Sequence, residues 1–279
     1  SPATPDGCEQ HKKAIIAVSQ IRKEAALNPH QTQLLVSVRN CEEIAPAIAG
    51  GCDILDFKDP ARGALGQIDE TTLRAVMEYC QQYSVTLPLS MALGELCEWR
   101  REQKCLKIPP EITYLKMGFS DSSGSKYWSS DWQNLIQRIE ESSGHQHQWI
   151  AVAYADWKQA DSLSPDEVLE AACENRCAGL LIDTFSKQNG RLLDLLSPDT
   201  LGEIIERAKS SQLKIALAGS LRIQDLEILS DLTPDIIGIR GAACLSFNRT
   251  SVIQESAISS FRKQMCFRTD SIRSGRGSC

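Results

Sequence analysis

The feature that most constrains the fold is a regular alternation between short, apolar, β-rich runs and segments with helical periodicity. Eight β-rich runs lie at residues 34–38, 53–58, 86–92, 114–119, 149–156, 179–184, 214–219 and 236–241. Helical stretches lie between them at 42–49, 70–82, 131–142, 164–175, 197–210 and 224–229. Strands that alternate with helices form a parallel sheet. Because the repeat reaches eight and polar residues collect at the strand ends all round, we predict an α/β fold, a single-domain (β/α)8 TIM barrel rather than an open sheet.

The barrel is predicted to occupy residues 34–264, between two terminal segments. Residues 1–33 form an N-terminal extension, and the apolar stripe of 11–27 predicts a helix that covers the barrel floor or meets another subunit. The tail, 265–279, is rich in Ser, Arg and Gly and is predicted to be flexible and disordered. The charged stretch 95–110 follows the third strand, where we expect a lid or an interface element.

Composition excludes several functional classes. The net charge of −6 over 279 residues offers no basic field for nucleic acid. The chain has no apolar run long enough to span a membrane and no signal-peptide region at its start, so we expect no membrane association and a cytoplasmic location. Eleven cysteines, an odd number without a Cys-x-x-Cys pair, and four histidines favour reduced, mostly buried thiols and no metal site.

The segment Asp-Ile-Leu-Asp-Phe-Lys-Asp-Pro at 53–60 carries the most functional information. Ile54, Asp56 and Lys58 share one face of a strand by its two-residue period, and Leu55 and Phe57 share the other. A carboxylate and an amine at the end of an otherwise apolar strand suit the polar mouth of a barrel. Lys58 is therefore a candidate nucleophile for a carbonyl group, because burial and neighbouring cations lower the pKa of an amine.

Further charged residues stand within or at the ends of the fourth, fifth and sixth strands. Lys116 lies inside an apolar strand, which indicates a polar cavity, although a lysine whose amine reaches solvent at a strand edge is the simpler alternative. Asp183 ends the sixth strand with Lys187 just beyond, and it either pairs with a lysine, acts as a base or caps the next element. Asp156, at the end of the fifth strand, carries the same ambiguity and is a candidate substrate-binding residue. If the barrel closes, strands two, four and six bring these groups to one mouth.

The ends of the last two strands favour phosphate binding. Gly219 and Ser220 follow the seventh strand, and Gly241 and Ala242 follow the eighth. Small residues let backbone amides approach an anion, and barrels often bind phosphate at this position. Arg240 would add a charge-assisted contact. The alternative is that these glycines only form tight turns.

Read in order, these motifs resemble the (5-formylfuran-3-yl)methyl phosphate synthase family, and the likeness spans about residues 34–261. The motifs that carry it are GGCDILDFKDP at 50–60, GALG at 63–66, LKMG at 115–118, AYAD at 153–156, LIDT at 181–184, LAGS at 217–220 and IRGAAC at 239–244. Each motif alone is weak, but the ordered set is specific.

The resemblance implies a (β/α)8 barrel that condenses two molecules of glyceraldehyde 3-phosphate into a phosphorylated furan aldehyde, with release of phosphate and water. It implies no metal and no organic cofactor. The family's Schiff-base lysine falls on Lys58 and its acid–base lysine on Lys116. Its acidic partners fall on Asp56 and Asp183, and a further lysine falls on Lys187.

One departure from the family pattern concerns the third strand. This chain reads Val-Thr-Leu-Pro at 85–88, where the resemblance leads us to expect another lysine, so one substrate contact and the exact substrate stay open. The alternatives are another class I aldolase acting on phosphosugars, or a non-catalytic barrel that binds them. We expect triose phosphates as small-molecule partners and a homo-oligomer, since barrels often associate.

Overall fold

A computed structural model describes residues 31–101 and 107–275, with side chains described through Cys266. Eight parallel strands close into one barrel in chain order. They are β1 (Gln33–Val38), β2 (Ile54–Phe57), β3 (Leu89–Glu95), β4 (Ile112–Gly118), β5 (Gln148–Tyr154), β6 (Gly179–Asp183), β7 (Lys214–Leu217) and β8 (Ile236–Ile239). Pairing of β1 with β8, in which Leu34 stands opposite Ile237, completes the ring. The predicted (β/α)8 barrel is confirmed.

Helices connect the strands and surround the barrel. They are α1 (Ile44–Ala49), α2 (Glu70–Gln82), α3 (Leu96–Arg101), α4 (Trp128–Ser143), α5 (Pro165–Glu174), α6 (Leu192–Leu195), α7 (Pro198–Ser210), α8 (Leu226–Leu232) and α9 (Glu255–Gly275). Helix α2 begins after Asp69, whose carboxylate accepts the N–H of Thr72 at 2.8 Å. Helix α5 opens with a reciprocal cap, in which Ser164 N–H donates to Glu167 at 2.8 Å and Glu167 N–H donates back at 3.3 Å. Such caps fix where a helix begins and therefore how long the preceding mouth loop is.

The strands separate two apolar layers, as their two-residue period predicts. Leu55 and Phe57 of β2 are fully buried between the strands and the helices. Ile54 of the same strand packs inside the barrel with Ile150 and Leu181. The inward faces of β2, β4 and β6 therefore carry the charged candidate residues Asp56, Lys116 and Asp183.

The third strand differs from its prediction. The sequence predicts residues 86–92, but β3 runs from Leu89 to Glu95. Pro88 has no N–H to donate to a neighbouring strand, so the strand begins after it, while the Pro88 carbonyl accepts the N–H of Leu55 at 3.2 Å. The shift places Glu95 in the barrel wall, and α3 follows at once. Residues 102–106 lie outside the described part, and the lid or interface at 95–110 stays a prediction.

The terminal segments are only partly described. The predicted helix at 11–27 lies outside the described residues. Helix α9 extends to Gly275 and so overlaps the segment 265–279, whose predicted disorder stays a prediction. In the described part of the chain, no helix has both the length and the apolar character that a membrane crossing requires.

Candidate active site

A cavity of about 430 Å³ occupies the inside of the barrel and reaches the mouth at the strands' carboxyl ends. At the amino-terminal ends of the strands, Lys214 donates a hydrogen bond to the Tyr114 hydroxyl at 3.1 Å. Except for Asp156, the predicted site residues all line this cavity: Asp56, Lys58, Lys116, Asp183, Lys187, Gly219, Ser220, Arg240, Gly241 and Ala242. Among the residues described, no group of three or more His, Cys, Asp or Glu side chains is placed to hold a metal ion.

Lys116 and Asp56 form a buried ion pair inside the barrel, across from one another on the inward faces of β4 and β2. The Lys116 Nζ lies 2.6 Å from Asp56 Oδ2, and the two side chains are 4% and 0% exposed. Ser37 Oγ donates to the same carboxylate oxygen at 2.9 Å. Burial would raise the pKa of Asp56, but Lys116 and then Lys58 outweigh it and lower that pKa. The other oxygen, Oδ1, is buried with no hydrogen-bond partner in the described chain, so Asp56 keeps an acceptor facing the site.

Lys58 is the buried amine without a carboxylate bound to it. It is 7% exposed, and its Nζ donates to the Ala64 carbonyl at 3.3 Å. Burial lowers its pKa from 10.5 to about 7; the Asp183 carboxylate opposes this effect, and the Lys116 cation adds to it. Near neutral pH the uncharged amine of Lys58 is therefore far more populated than that of an exposed lysine. An uncharged amine is the form that adds to a carbonyl carbon.

Asp183 stays a carboxylate because a lysine holds it. Lys187 Nζ donates to Asp183 Oδ1 at 3.0 Å, and the N–H of Thr184 donates to the same oxygen at 2.7 Å. The same ammonium also donates to the Thr184 carbonyl and hydroxyl at 2.5 and 2.7 Å. Burial raises the pKa of Asp183, but Lys187 and then Lys58 outweigh it and lower that pKa to about 2. Lys187 thus orients a permanent negative charge near Lys58.

The loops after β7 and β8 offer backbone amides to the cavity. Gly219 and Ser220 both have positive φ, +107° and +56°. A Cβ at position 219 would lie 2.9 Å from Thr184 Cγ2, so only glycine fits there without a shift. No described residue accepts the N–H of Gly219 or Ser220. Successive unbonded amides in a turn are typical of anion sites, which supports the predicted phosphate contact.

The structure uses the Arg240 side chain differently from its prediction. Its guanidinium is paired with both oxygens of Glu43, at 2.5 and 3.0 Å. It also donates to the carbonyls of Ser37 at 3.0 Å, Arg249 at 2.8 Å and Ser251 at 2.8 Å. A guanidinium has five N–H donors, and these contacts use all of them. The side chain has no donor left for a phosphate, and it braces the loop after β8 instead.

Asp156 also has partners other than the expected substrate. Its carboxylate accepts the N–H groups of Phe185 at 2.7 Å and Ser186 at 2.9 Å, and the Asn189 amide at 3.2 Å. It therefore shapes the loop that carries Lys187. A direct role for Asp156 in substrate binding stays a prediction.

Sequence reasoning missed a buried pair on the barrel wall. The Tyr154 hydroxyl donates to Glu95 at 2.5 Å, and the N–H of Ser120 donates to the other carboxylate oxygen at 2.9 Å. Burial raises the pKa of both side chains. A Cβ on Gly118 would lie 2.5 Å from the Tyr154 oxygen, so the pair requires glycine there. The sequence signal for this pair is Pro88. A seven-residue strand that begins directly after this proline ends at Glu95 and so includes it in β3.

Comparisons with known proteins identify the family. Residues 34–262 match the family model described as 4-HFC-P synthase. The chain is 33% identical over 215 residues to (5-formylfuran-3-yl)methyl phosphate synthase from Methanopyrus kandleri, covering 76% of this chain and 89% of that one. It is 29% identical over 237 residues to the protein of the same name from Methanobrevibacter smithii, covering 84% and 98%. Thiamine phosphate pyrophosphorylase from Pyrococcus furiosus shares the fold alone, with a TM-score of 0.52 and 12% identity over 87% of this chain and 98% of that one. The chain therefore belongs to the 4-HFC-P synthase family.

Proposed function

We propose that this protein is a Schiff-base lyase that condenses two molecules of glyceraldehyde 3-phosphate into (5-formylfuran-3-yl)methyl phosphate, a precursor of methanofuran-type one-carbon carriers. Family membership supports the product, because the relatives carry the name of that synthase. One observation supports the mechanism most strongly: the Lys58 amine is 7% exposed, has a pKa of about 7 and lines the cavity.

In the first step the neutral Lys58 amine adds to the aldehyde of one triose phosphate, and loss of water gives an imine. Protonation of the imine nitrogen makes it a cation. Asp183, whose pKa is about 2, remains negative throughout and stabilises that cation through space. This charge also limits how far burial can lower the pKa of Lys58, so the amine titrates near neutrality.

In the second step the imine becomes an enamine and phosphate leaves. The proton on the carbon next to the imine is removed, and its bonding electrons form the enamine. Those electrons then expel phosphate, which takes the electron pair of the broken carbon–oxygen bond. Lys116 moves the protons, and Asp56, 2.6 Å away, sets its position and takes part in the exchange.

In the third step the enol that phosphate loss leaves on the bound triose supplies the nucleophile: its terminal carbon bonds to the second triose phosphate, and ring closure with loss of water gives the furan. Overall, two triose phosphates become one product with release of one phosphate and two waters, so no oxidant is needed. The product keeps one phosphate. The amides of Gly219 and Ser220, with the loop at Gly241 and Ala242, bind that group.

Product analysis tests the proposal. Purified protein with glyceraldehyde 3-phosphate should form an ultraviolet-absorbing aldehyde with the mass of the furan phosphate, together with one inorganic phosphate for each product. Lys58→Arg should abolish this, because arginine keeps the charge but cannot form an imine. The exposed lysine Lys126, changed to arginine, is the matched control and should remain active. A carbon–carbon bond formed without phosphate release would instead indicate an ordinary aldolase, and binding without turnover would indicate a non-catalytic barrel.

A further inference from the structure

Four of the eight lysines and arginines that line the cavity have carboxylate partners. Lys116 is paired with Asp56, and Lys187 with Asp183. Arg191 binds two aspartates, and Arg240 binds Glu43. Arg249, in the loop after β8, also lines the cavity, yet it forms no ion pair within the described part of the chain. Its buried Nε has no hydrogen-bond partner there either.

The loop holds Arg249 in a fixed position. Arg240 Nε donates to the Arg249 carbonyl at 2.8 Å. The Asn248 side chain accepts the N–H of Thr250 at 3.1 Å, and the N–H of Ser251 donates to the Asn248 carbonyl at 2.8 Å. The turn that presents Arg249 is therefore braced on both sides. Arg240, which the sequence predicts as a phosphate ligand, instead holds the backbone of Arg249 in place.

Arg249 contacts the same mouth loop as the nucleophile. Its Nη2 donates to the Gly63 carbonyl at 2.8 Å, and Lys58 Nζ donates to the carbonyl of the next residue, Ala64, at 3.3 Å. The two cations therefore bind the carbonyls of consecutive residues in one mouth loop, and both line the same cavity. Burial lowers the pKa of Arg249 while the Asp183 carboxylate opposes this, which places Arg249 within electrostatic reach of Asp183.

We propose that Arg249 binds the phosphate of the triose that is bonded to Lys58, and so favours its departure. This inference rests on the proposed function above. In the step concerned, the carbon–oxygen bond to that phosphate breaks, the electron pair leaves with the phosphate, and the growing negative charge meets the guanidinium. The amides after β7 and β8 hold the other phosphate, the one that the product keeps. The site thus has two phosphate subsites that differ in chemistry.

The test compares Arg249→Gln with Arg62→Gln. Arg62 is the matched control, because it is an exposed arginine that also donates to a carbonyl of the β2 loop, at 3.1 Å, but does not line the cavity. Borohydride trapping at Lys58 is measured with glyceraldehyde 3-phosphate and with glyceraldehyde, which lacks the phosphate. Phosphate release is followed in a single turnover.

Arg249→Gln should lower trapping by glyceraldehyde 3-phosphate and the rate of phosphate release by about ten- to a hundredfold, as expected for a charged hydrogen bond. Trapping by glyceraldehyde should stay at the wild-type level, and Arg62→Gln should match wild type with both aldehydes. An equal loss of trapping with both aldehydes would mean that Arg249 only stabilises the loop. Unchanged phosphate release in Arg249→Gln would show that Arg249 does not bind the departing phosphate. If wild type itself neither traps nor releases phosphate, the proposed function fails first.

Discussion

Replacing Lys58 with methionine should make the protein's stability less dependent on pH, because it removes a buried amine but keeps a long, unbranched side chain. Lys58 is 7% exposed, and burial lowers its pKa from 10.5 to about 7. In the unfolded chain the same lysine titrates near its ordinary pKa. Between about pH 7 and pH 10 the unfolded state therefore binds more protons, and stability rises with pH across that window.

The size of the effect follows from the two pKa values. Below about pH 7 Lys58 is protonated in both the folded and the unfolded protein. The folded protein then holds a buried charge, so the free energy of unfolding of wild type is lowest there. At about 1.4 kcal/mol per pKa unit, the full effect is roughly 5 kcal/mol. Roughly 2.5 kcal/mol of it should appear as a gain in wild-type stability between pH 6 and pH 9.

Urea unfolding at pH 6 and pH 9 measures this gain. The variant Lys58→Met should lack it, so its unfolding free energy should exceed that of wild type most at pH 6. Other groups titrate in both proteins, so the difference between the two pH profiles isolates Lys58. Lys126→Met, at an exposed position, should follow wild type. Parallel profiles for wild type and Lys58→Met would refute the low pKa of the buried amine.

Three further predictions follow from the same site. Lys116→Met removes the ammonium that is bound to the buried Asp56 carboxylate. The free energy of unfolding, measured in urea, should fall by about 3–5 kcal/mol. A loss below about 1 kcal/mol would show that the ion pair does not stabilise the fold. Gly118→Ala places a Cβ 2.5 Å from the Tyr154 hydroxyl and should destabilise the fold by about 1–3 kcal/mol. The control Gly124→Ala has nothing within 4 Å of its Cβ and should be as stable as wild type. Equal melting temperatures for the two variants would contradict the close packing at Gly118. The rate of imine formation at Lys58 should rise as pH passes through about 7 and then level off, because only the neutral amine reacts. Stopped-flow trapping measures this rate. A rate that stays constant from pH 6 to pH 8 would contradict the low pKa of Lys58.

The sequence was sufficient for the parts of the site that depend on local periodicity. The two-residue alternation of β2 placed Asp56 and Lys58 inside the barrel and Leu55 outside it, and the structure confirms this. The same rule applied to β4 put Lys116 in the cavity. Eight repeats were enough to predict closure, because a parallel sheet of that length with polar strand ends favours a barrel.

Contacts between residues far apart in the chain were beyond the sequence. Arg240 binds Glu43, which lies 197 positions earlier, and no local pattern reveals that all its donors are used. Arg249 stands in a loop without a recognisable motif, so its contact with the loop that Lys58 also binds depends on how two mouth loops meet. Glu95 depends on a local effect instead: Pro88 cannot donate to a neighbouring strand, so β3 begins at Leu89 and extends to Glu95.

The measurement that tests the account most directly is the mapping of a covalent adduct. Wild type is treated with glyceraldehyde 3-phosphate and borohydride, digested, and analysed by peptide mass spectrometry. We predict a triose-derived addition on Lys58 alone, with none on Lys116, and its disappearance in Lys58→Arg. An actively turning-over preparation in which Lys58 stays unmodified, or in which another lysine carries the adduct, would contradict the account.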